Sequence, residues 1–128
     1  MALYRCGSSG GTLSETKLWE NGSPTSTFAE QTLTIGNFSS YDYLRIYYRV
    51  STSNASVISS LISVADLKTT VDGYNTPRFV IGTRITYNCA RMISYVSDTQ
   101  LDISTAAKLN ASGTSTSNVI PTKITGLK

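Results

Sequence analysis

Few residues in this chain are of the types that catalyse reactions or bind metal ions. None of its 128 residues is histidine, the side chain that most often serves as a general base or metal ligand near neutral pH. The two cysteines, Cys6 and Cys89, are too few to form a structural zinc site by themselves. No Gly-Lys-Ser/Thr phosphate loop and no Gly-x-Ser-x-Gly nucleophile motif occurs. The sequence therefore predicts a protein that is not an enzyme and that has no metal site and no cofactor.

Among the eight carboxylates, Asp98 and Asp102 lie near each other in sequence. Two neighbouring carboxylates could form an acid/base pair or bind a calcium ion. Aspartate in a short polar segment usually serves the turn itself, by accepting hydrogen bonds from nearby backbone N–H groups. We therefore expect turn chemistry, and not a catalytic or metal site, at this position.

The two cysteines could in principle form a disulfide. The N-terminus lacks the apolar region of a signal peptide, and no stretch approaches the length of a transmembrane helix. We therefore expect the chain to be made in a reducing cytoplasm, which opposes a disulfide. We expect Cys89 to be a small buried hydrophobic residue. We expect Cys6 to belong to a flexible leader over residues 1–12, which is rich in glycine and serine.

The clearest structural pattern lies in residues 41–50, where two kinds of side chain alternate. Because successive strand residues point to opposite faces, one face would be aliphatic and aromatic, and the other aromatic and cationic. The first face would carry Leu44, Ile46, Tyr48 and Val50. The second, which we call the outer row, would carry Tyr43, Arg45, Tyr47 and Arg49. This pattern predicts a strand with one side in a core and the other at the surface.

Two interpretations of the outer row remain open. Tyrosine and arginine stack well on neighbouring strands, so the row could be a ladder that stabilises its own sheet. The same residue types are enriched at interface hot spots, so the row could instead contact another subunit or a receptor such as a glycan, with subunit contact favoured. Trp19 also has two interpretations, and an anchor in the core or at an interface is preferred over a platform for sugar stacking.

Composition bears on possible partners. Charged residues make up 15% of the chain, below the roughly 25% that is usual, and serine and threonine replace them. Surfaces that contact other subunits are depleted in charge, which favours an oligomer. The net charge of +3 comes without any basic run, so nucleic acid is not an expected partner.

Short strands separated by turn signals fill the rest of the chain. The ambiguous segment 55–67 also fits a helical stripe, but its serines and β-branched residues favour a strand. Because Pro121 has no N–H, we expect either that the last strand lies at a sheet edge or that Pro121 lies at the start of the strand, where the missing donor does no harm. The predicted strands are 17–20, 28–35, 41–50, 55–67, 79–89, 92–96, 101–103 and the closing segment from 119, with turns or loops at 21–24, 72–77, 97–99 and 110–118. We expect one all-β domain over residues 13–128, an antiparallel, jelly-roll-like β-sandwich of seven to eight strands.

Four segments, taken in order, resemble small β-sandwich structural and tail-fibre modules of tailed bacteriophages and of prophages of Gram-positive bacteria. The segments are 18–25, 28–33, 41–49 and 120–128, and the similarity covers most of residues 17–128. The resemblance implies a non-catalytic virion protein, located on a tail, fibre or head. It also implies a homo-oligomer, commonly a trimer, that contacts other virion proteins and serves in host attachment. A free-standing carbohydrate-binding module is the alternative. The chain lacks a long fibre shaft, which leaves open whether it is a whole small protein or the tip of a longer one.

Overall fold

The described part of the chain contains ten β-strands and one short helix. The structure is a computed structural model that describes residues 14–69, 79–83, 88–109 and 111–128. The predicted leader with Cys6 and the predicted turn at 72–77 lie outside these residues. In chain order the elements are β1 (Glu15–Glu20), β2 (Gln31–Thr34), β3 (Tyr43–Ser51), β4 (Val57–Ser63), α1 (Val64–Lys68), β5 (Phe79–Thr83), β6 (Cys89–Ser97), β7 (Gln100–Ile103), β8 (Ala106–Lys108), β9 (Thr114–Ser115) and β10 (Asn118–Leu127).

The strands form two sheets in which every pairing between described strands is antiparallel. The first sheet has the order β1-β10-β3-β4. The second has the order β2-β7-β6-β8-β9, and β5 pairs with β6. The last strand of the chain therefore lies between the first and the third. The predicted all-β antiparallel sandwich is confirmed, with ten described strands in place of seven or eight.

One apolar core lies between the two sheets. The predicted inward residues of β3 are all buried, and Tyr48 is the most exposed of them at 2%. Burying one such aliphatic or aromatic side chain stabilises the fold by roughly 1.5–3 kcal/mol, so this strand is a main source of stability. Opposite it the second sheet contributes Leu33, Ile81, Ile93, Leu101 and Ile103.

A tyrosine hydroxyl joins the two sheets across this core. The hydroxyl of Tyr48 donates to the carbonyl of Gly82 at 2.7 Å and accepts from its N–H at 3.3 Å. A Cβ at position 82 would lie 2.7 Å from the carbonyl oxygen of Cys89, so no larger residue fits without a shift of the backbone. The pair therefore fixes β3 against β5 at one point.

The single long strand predicted over residues 79–89 is wrong. β5 and β6 pair antiparallel, with Thr83 opposite Cys89, so the chain reverses direction between them. In the sequence, every second residue from Phe79 to Cys89 continues one alternating pattern, so the pattern gives no sign of this reversal. Ile85 and Tyr87, assigned to the same strand, lie outside the described residues. Cys89 is buried, as predicted.

The segment 55–67 is only partly a strand. β4 ends at Ser63, whose hydroxyl accepts a hydrogen bond from the N–H of Asp66 at 3.2 Å. This is a helix N-cap, and it begins the five-residue helix α1. The apolar residues Val64 and Leu67 then reach the core on one helical face, three residues apart. The helical periodicity that the sequence also shows is therefore used after Ser63.

The last strand is not at an edge, so that part of the Pro121 prediction is wrong. β10 pairs with β1 on one side and with β3 on the other. Its pairing with β1 ends at Lys123, opposite Glu20, and the register with β3 shifts between Pro121 and Lys123. Pro121 thus lies beyond the end of β1, where no N–H is needed on that side. Within the predicted loop 110–118, residues Thr114–Ser115 form β9.

Candidate contact face

The outer row of β3 lies on the outward face of the first sheet, as predicted. Tyr43 is 41% exposed, and Arg45, Tyr47 and Arg49 are half-buried among their neighbours. On one side the row is paired with β10, and on the other with β4. The row is therefore in the middle of a sheet face, where cross-strand contacts are available on both sides.

A glutamate from β1 joins two members of the row. Tyr47 donates its hydroxyl hydrogen to Oε2 of Glu15 at 2.6 Å, and Thr125 donates to the same oxygen at 2.7 Å. Nη1 of Arg45 lies 3.5 Å from Oε1 of Glu15. The two hydroxyl bonds, assisted by the nearby cations Arg45 and Lys123, hold the pKa of the Glu15 carboxyl below its usual value. Arg45 and Tyr47 are thus held by contacts to one carboxylate that reach across three strands.

The remaining cations of this face are also held by local groups. The ammonium of Lys123 lies 4.4 Å from the centre of the Tyr47 ring and covers one face of that ring. Arg49 donates from Nε to the carbonyl of Ser51 at 3.3 Å and from Nη2 to that of Thr52 at 3.2 Å. The ladder interpretation therefore describes the contacts within one chain. Contact with a second molecule remains a prediction.

Trp19 does not belong to this outward face. It pairs with Ile124 of β10, whose side chain is in the core, and it packs edge to face on Phe28 with the ring centres 6.4 Å apart. Trp19 is half-buried at the margin of the core, which fits an anchor better than a sugar platform.

The two aspartates considered for catalysis or calcium have separate partners. Asp98 accepts a hydrogen bond from the hydroxyl of Tyr95 at 2.9 Å and pairs with Lys68 at 3.0 Å. These contacts, the Lys68 bond first, lower the pKa of Asp98. Asp102 instead accepts a hydrogen bond from Thr32 on the neighbouring strand. The structure therefore does not bring the two carboxylates into one site.

A buried arginine is the main feature that the sequence analysis missed. Arg91 is fully buried, and within the described residues it forms no ion pair. Its guanidinium lies 5.1 Å from the centre of the Phe28 ring. It donates to four backbone carbonyls, those of Val119 at 2.6 Å, Phe28 at 2.8 Å, Ser104 at 2.9 Å and Asn118 at 3.1 Å. Burial lowers the pKa of this guanidinium to about 10.

These bonds make Arg91 a structural clamp. Its four acceptors lie in three separate parts of the chain, namely before β2, between β7 and β8, and at the start of β10. Two of these acceptors, the carbonyls of Phe28 and Ser104, lie outside the strands, where no sheet pairing supplies a hydrogen-bond partner. One signal was present in the sequence, because Arg91 is in phase with the inward residues Cys89 and Ile93 on β6.

A polar groove of about 510 Å³ lies on the outward side of the second sheet. Two carboxylates, several hydroxyls and one methionine line it. The lining residues are Glu30, Gln31, Thr32, Met92, Ser94, Asp102, Ile103 and Ser104. The described residues include no group of three or more Cys, Asp or Glu residues placed to hold a metal ion. Likewise, no helix in the described ranges is long and apolar enough to span a membrane.

The fold and this face define an antiparallel β-sandwich protein with an aromatic and cationic outer sheet surface. No protein-family model, no curated protein and no solved structure matches the chain. The resemblance to phage modules therefore stays a prediction.

Proposed function

We propose that this chain is a structural protein of a bacteriophage virion that acts through protein contacts, as part of a tail, a fibre or a head decoration. The observation that carries the proposal is that three of the four residues of the outer row are held in place by neighbouring groups. Arg45 and Tyr47 contact Glu15, and Arg49 donates to the backbone carbonyls of Ser51 and Thr52, at an accessible surface. Side chains that are already immobilised lose less entropy when a partner binds, and tyrosine and arginine are typical interface anchors.

The proposed partners are other copies of the chain and neighbouring virion proteins. A homotrimer is expected from the phage resemblance, with the outer row facing a sister copy. Tyr43 would be the principal anchor, since it is the most exposed member of the row. Host attachment would follow from display on the particle, and the proposed location is the virion.

Two measurements test this function. Mass spectrometry of purified particles from a strain that carries the gene should detect peptides of this chain, and their absence would reject the proposal. Light scattering on the purified protein should give the mass of an oligomer. Tyr43→Ala should reduce that mass, while Met92→Ala, which removes an equally exposed side chain from the second sheet, should not. A wild-type monomer at all soluble concentrations would exclude self-assembly.

Glycan binding is the second candidate, and the polar groove supports it, because hydroxyl and carboxylate groups are suitable partners for sugar hydroxyls. The outer row is less suitable for sugar stacking, since Lys123 covers one face of the Tyr47 ring. A glycan array should separate the sites. Binding that is lost in Asp102→Ala would place it in the groove, binding lost in Tyr43→Ala would place it on the row, and a blank array would reject this candidate.

A further inference from the structure

The edge strand β4 has an open side in the described part of the structure. It is the last strand of the first sheet, and among the described strands it pairs only with β3. Its seven residues, Val57–Ser63, include no charged residue and no proline. The opposite edge of the same sheet, β1, carries Glu15, Lys17 and Glu20. Natural sheets use charges and prolines to prevent edge pairing, and β4 lacks both protections.

Hydrogen bonds near the two ends of β4 show which of its residues face the open side. The carbonyl of Ser56 accepts from the N–H of Val50 at 3.1 Å, and the N–H of Val64 donates to the carbonyl of Asp42 at 3.0 Å. Even-numbered residues therefore direct their backbone groups toward β3. In an antiparallel strand both backbone groups of a residue point to the same side, so the odd-numbered residues direct theirs to the open edge.

The same odd-numbered residues carry the outward side chains of β4. Val57 is 59% exposed and Leu61 is 52% exposed, with Ser59 between them. These aliphatic side chains are adjacent, along one line, to N–H and C=O groups that no other described strand pairs with. Such an edge is suited to pairing with another strand whose own edge is also apolar and uncharged.

We propose that β4 pairs antiparallel with β4 of a second copy of this chain, around a two-fold axis at Ser59. In this register Val57 of each copy lies opposite Leu61 of the other, and Ser59 lies opposite Ser59. The two first sheets then form one continuous eight-stranded sheet across the axis.

The pairing is self-complementary in three respects. The outward aliphatic residues of the two strands lie opposite each other, and neither strand brings a charged residue to the contact. The three pairs formed by Val57, Ser59 and Leu61 make about six backbone hydrogen bonds. Centring the axis on Ser60 instead would place Leu61 opposite Ser59 and separate the aliphatic pairs. A charged edge such as that of β1 would place carboxylates and an ammonium next to the aliphatic side chains.

The contact does not depend on the proposed virion function, because it uses β4 and leaves the outer row of β3 uncovered. Alone it produces a dimer. If the outer row also forms a three-fold contact, the two-fold contact joins two trimers into an assembly of six copies.

Cross-linking tests the register. In the proposed pair the Cα atoms of the two Ser59 residues lie about 5.5 Å apart, a separation that a disulfide can bridge. In a Cys6→Ser background, Ser59→Cys should form a disulfide-linked dimer on mild oxidation. Ser26→Cys, at another exposed serine, is the matched control and should remain mostly monomeric on a non-reducing gel. Equal cross-linking of the two variants would overturn the proposal.

Light scattering tests the interface itself. Val57→Lys should halve the mass of the wild-type assembly, because two ammonium groups would be placed against leucine side chains at the edge. Val80→Lys, at an equally exposed valine on β5, should leave the mass unchanged. Circular dichroism and a thermal melt check that both variants fold. An unchanged mass for Val57→Lys would overturn the proposal.

The two tests also separate this proposal from the virion function. A wild-type trimer in which Ser59→Cys does not cross-link would reject the two-fold contact and leave the proposed function standing. A Ser59→Cys dimer of a protein that is absent from purified particles would reject the function and support the contact.

Discussion

The guanidinium of Arg91 donates a hydrogen bond to the carbonyl of Val119, the one non-glycine residue with a positive φ angle in the described segments. The Nε–O distance is 2.6 Å, and φ at Val119 is 52°. A β-branched residue in this left-handed region costs on the order of 1–3 kcal/mol unless the surroundings enforce it. A second bond, from Arg91 to the carbonyl of Asn118, holds the preceding peptide. A buried cation therefore holds the strained start of β10.

Arg91→Lys should lower the free energy of unfolding by about 2–4 kcal/mol, because one ammonium cannot reach four carbonyls arranged around a planar fork. Urea denaturation measures this loss. Arg49→Lys is the control, since Arg49 donates to two carbonyls that are only partly buried, and it should change stability by less than about 0.5 kcal/mol. Similar losses in the two variants would mean that the buried network is not the cause.

The same variant should also acquire a pH dependence. Burial lowers the pKa of a lysine, so the folded Arg91→Lys protein would release a proton that the unfolded chain still holds. Stability then rises with pH between the lowered folded pKa and the unfolded pKa. In the wild type the pKa of Arg91 is about 10, so from about pH 6 to 9 this group is protonated in both states and contributes no slope. Parallel stability curves for the two proteins would contradict this account.

At position 119, substitution by glycine should destabilise the protein less than substitution by alanine. Both substitutions remove a fully buried side chain, but alanine retains the cost of positive φ and glycine does not. We expect Val119→Gly to be more stable than Val119→Ala by about 0.5–1 kcal/mol in denaturant titrations. At Val50, buried on β3 without a positive φ, the order should be the reverse. The same order at both positions would exclude strain at Val119.

The sequence predicted well which side chains of a strand share a face, and predicted poorly which distant segments of the chain meet in the fold. The inward and outward faces of β3 follow from a period of two that is encoded within ten residues. The clamp at Arg91 needs carbonyls from three distant segments, and the bond between Tyr47 and Glu15 needs β1 and β10 to pair in one register. Neither condition is visible in a local pattern. The reversal of direction between β5 and β6 was missed for a related reason, because the alternation of side-chain types in a sequence can continue without interruption across such a reversal.

Tyr48→Phe should destabilise the protein more than Tyr47→Phe, although the residues are adjacent. The hydroxyl of the buried residue Tyr48 bonds both backbone groups of the half-buried Gly82, and its loss leaves them without that partner. We expect a loss of about 1–3 kcal/mol for Tyr48→Phe and less than about 1 kcal/mol for Tyr47→Phe, whose hydroxyl bonds Glu15 at the partly exposed surface. Thermal and urea unfolding of the pair measure the difference. Equal losses would show that the Gly82 bonds contribute little.

Glu15 should contribute stability that disappears in acid. Its hydrogen bonds from Tyr47 and Thr125 lower its pKa in the folded state below the ordinary value of 4.5. A lowered folded pKa means that the unfolded chain takes up a proton first as the pH falls. The contribution is therefore fully present above the ordinary pKa and is lost as the pH falls through the lowered one. At pH 7, Glu15→Gln should be less stable than the wild type by up to about 1 kcal/mol.

This stability difference should shrink as the pH is lowered and vanish below the folded pKa, where both side chains are neutral. Urea titrations of the wild type and Glu15→Gln at a series of pH values from 7 to about 3 measure it. Glu30→Gln is the control, because the carboxylate of Glu30 forms no hydrogen bond or ion pair with the residues that the structure describes. A difference that stays constant with pH would assign the loss at position 15 to packing of the amide and not to the charge, since only the charged form attracts Arg45.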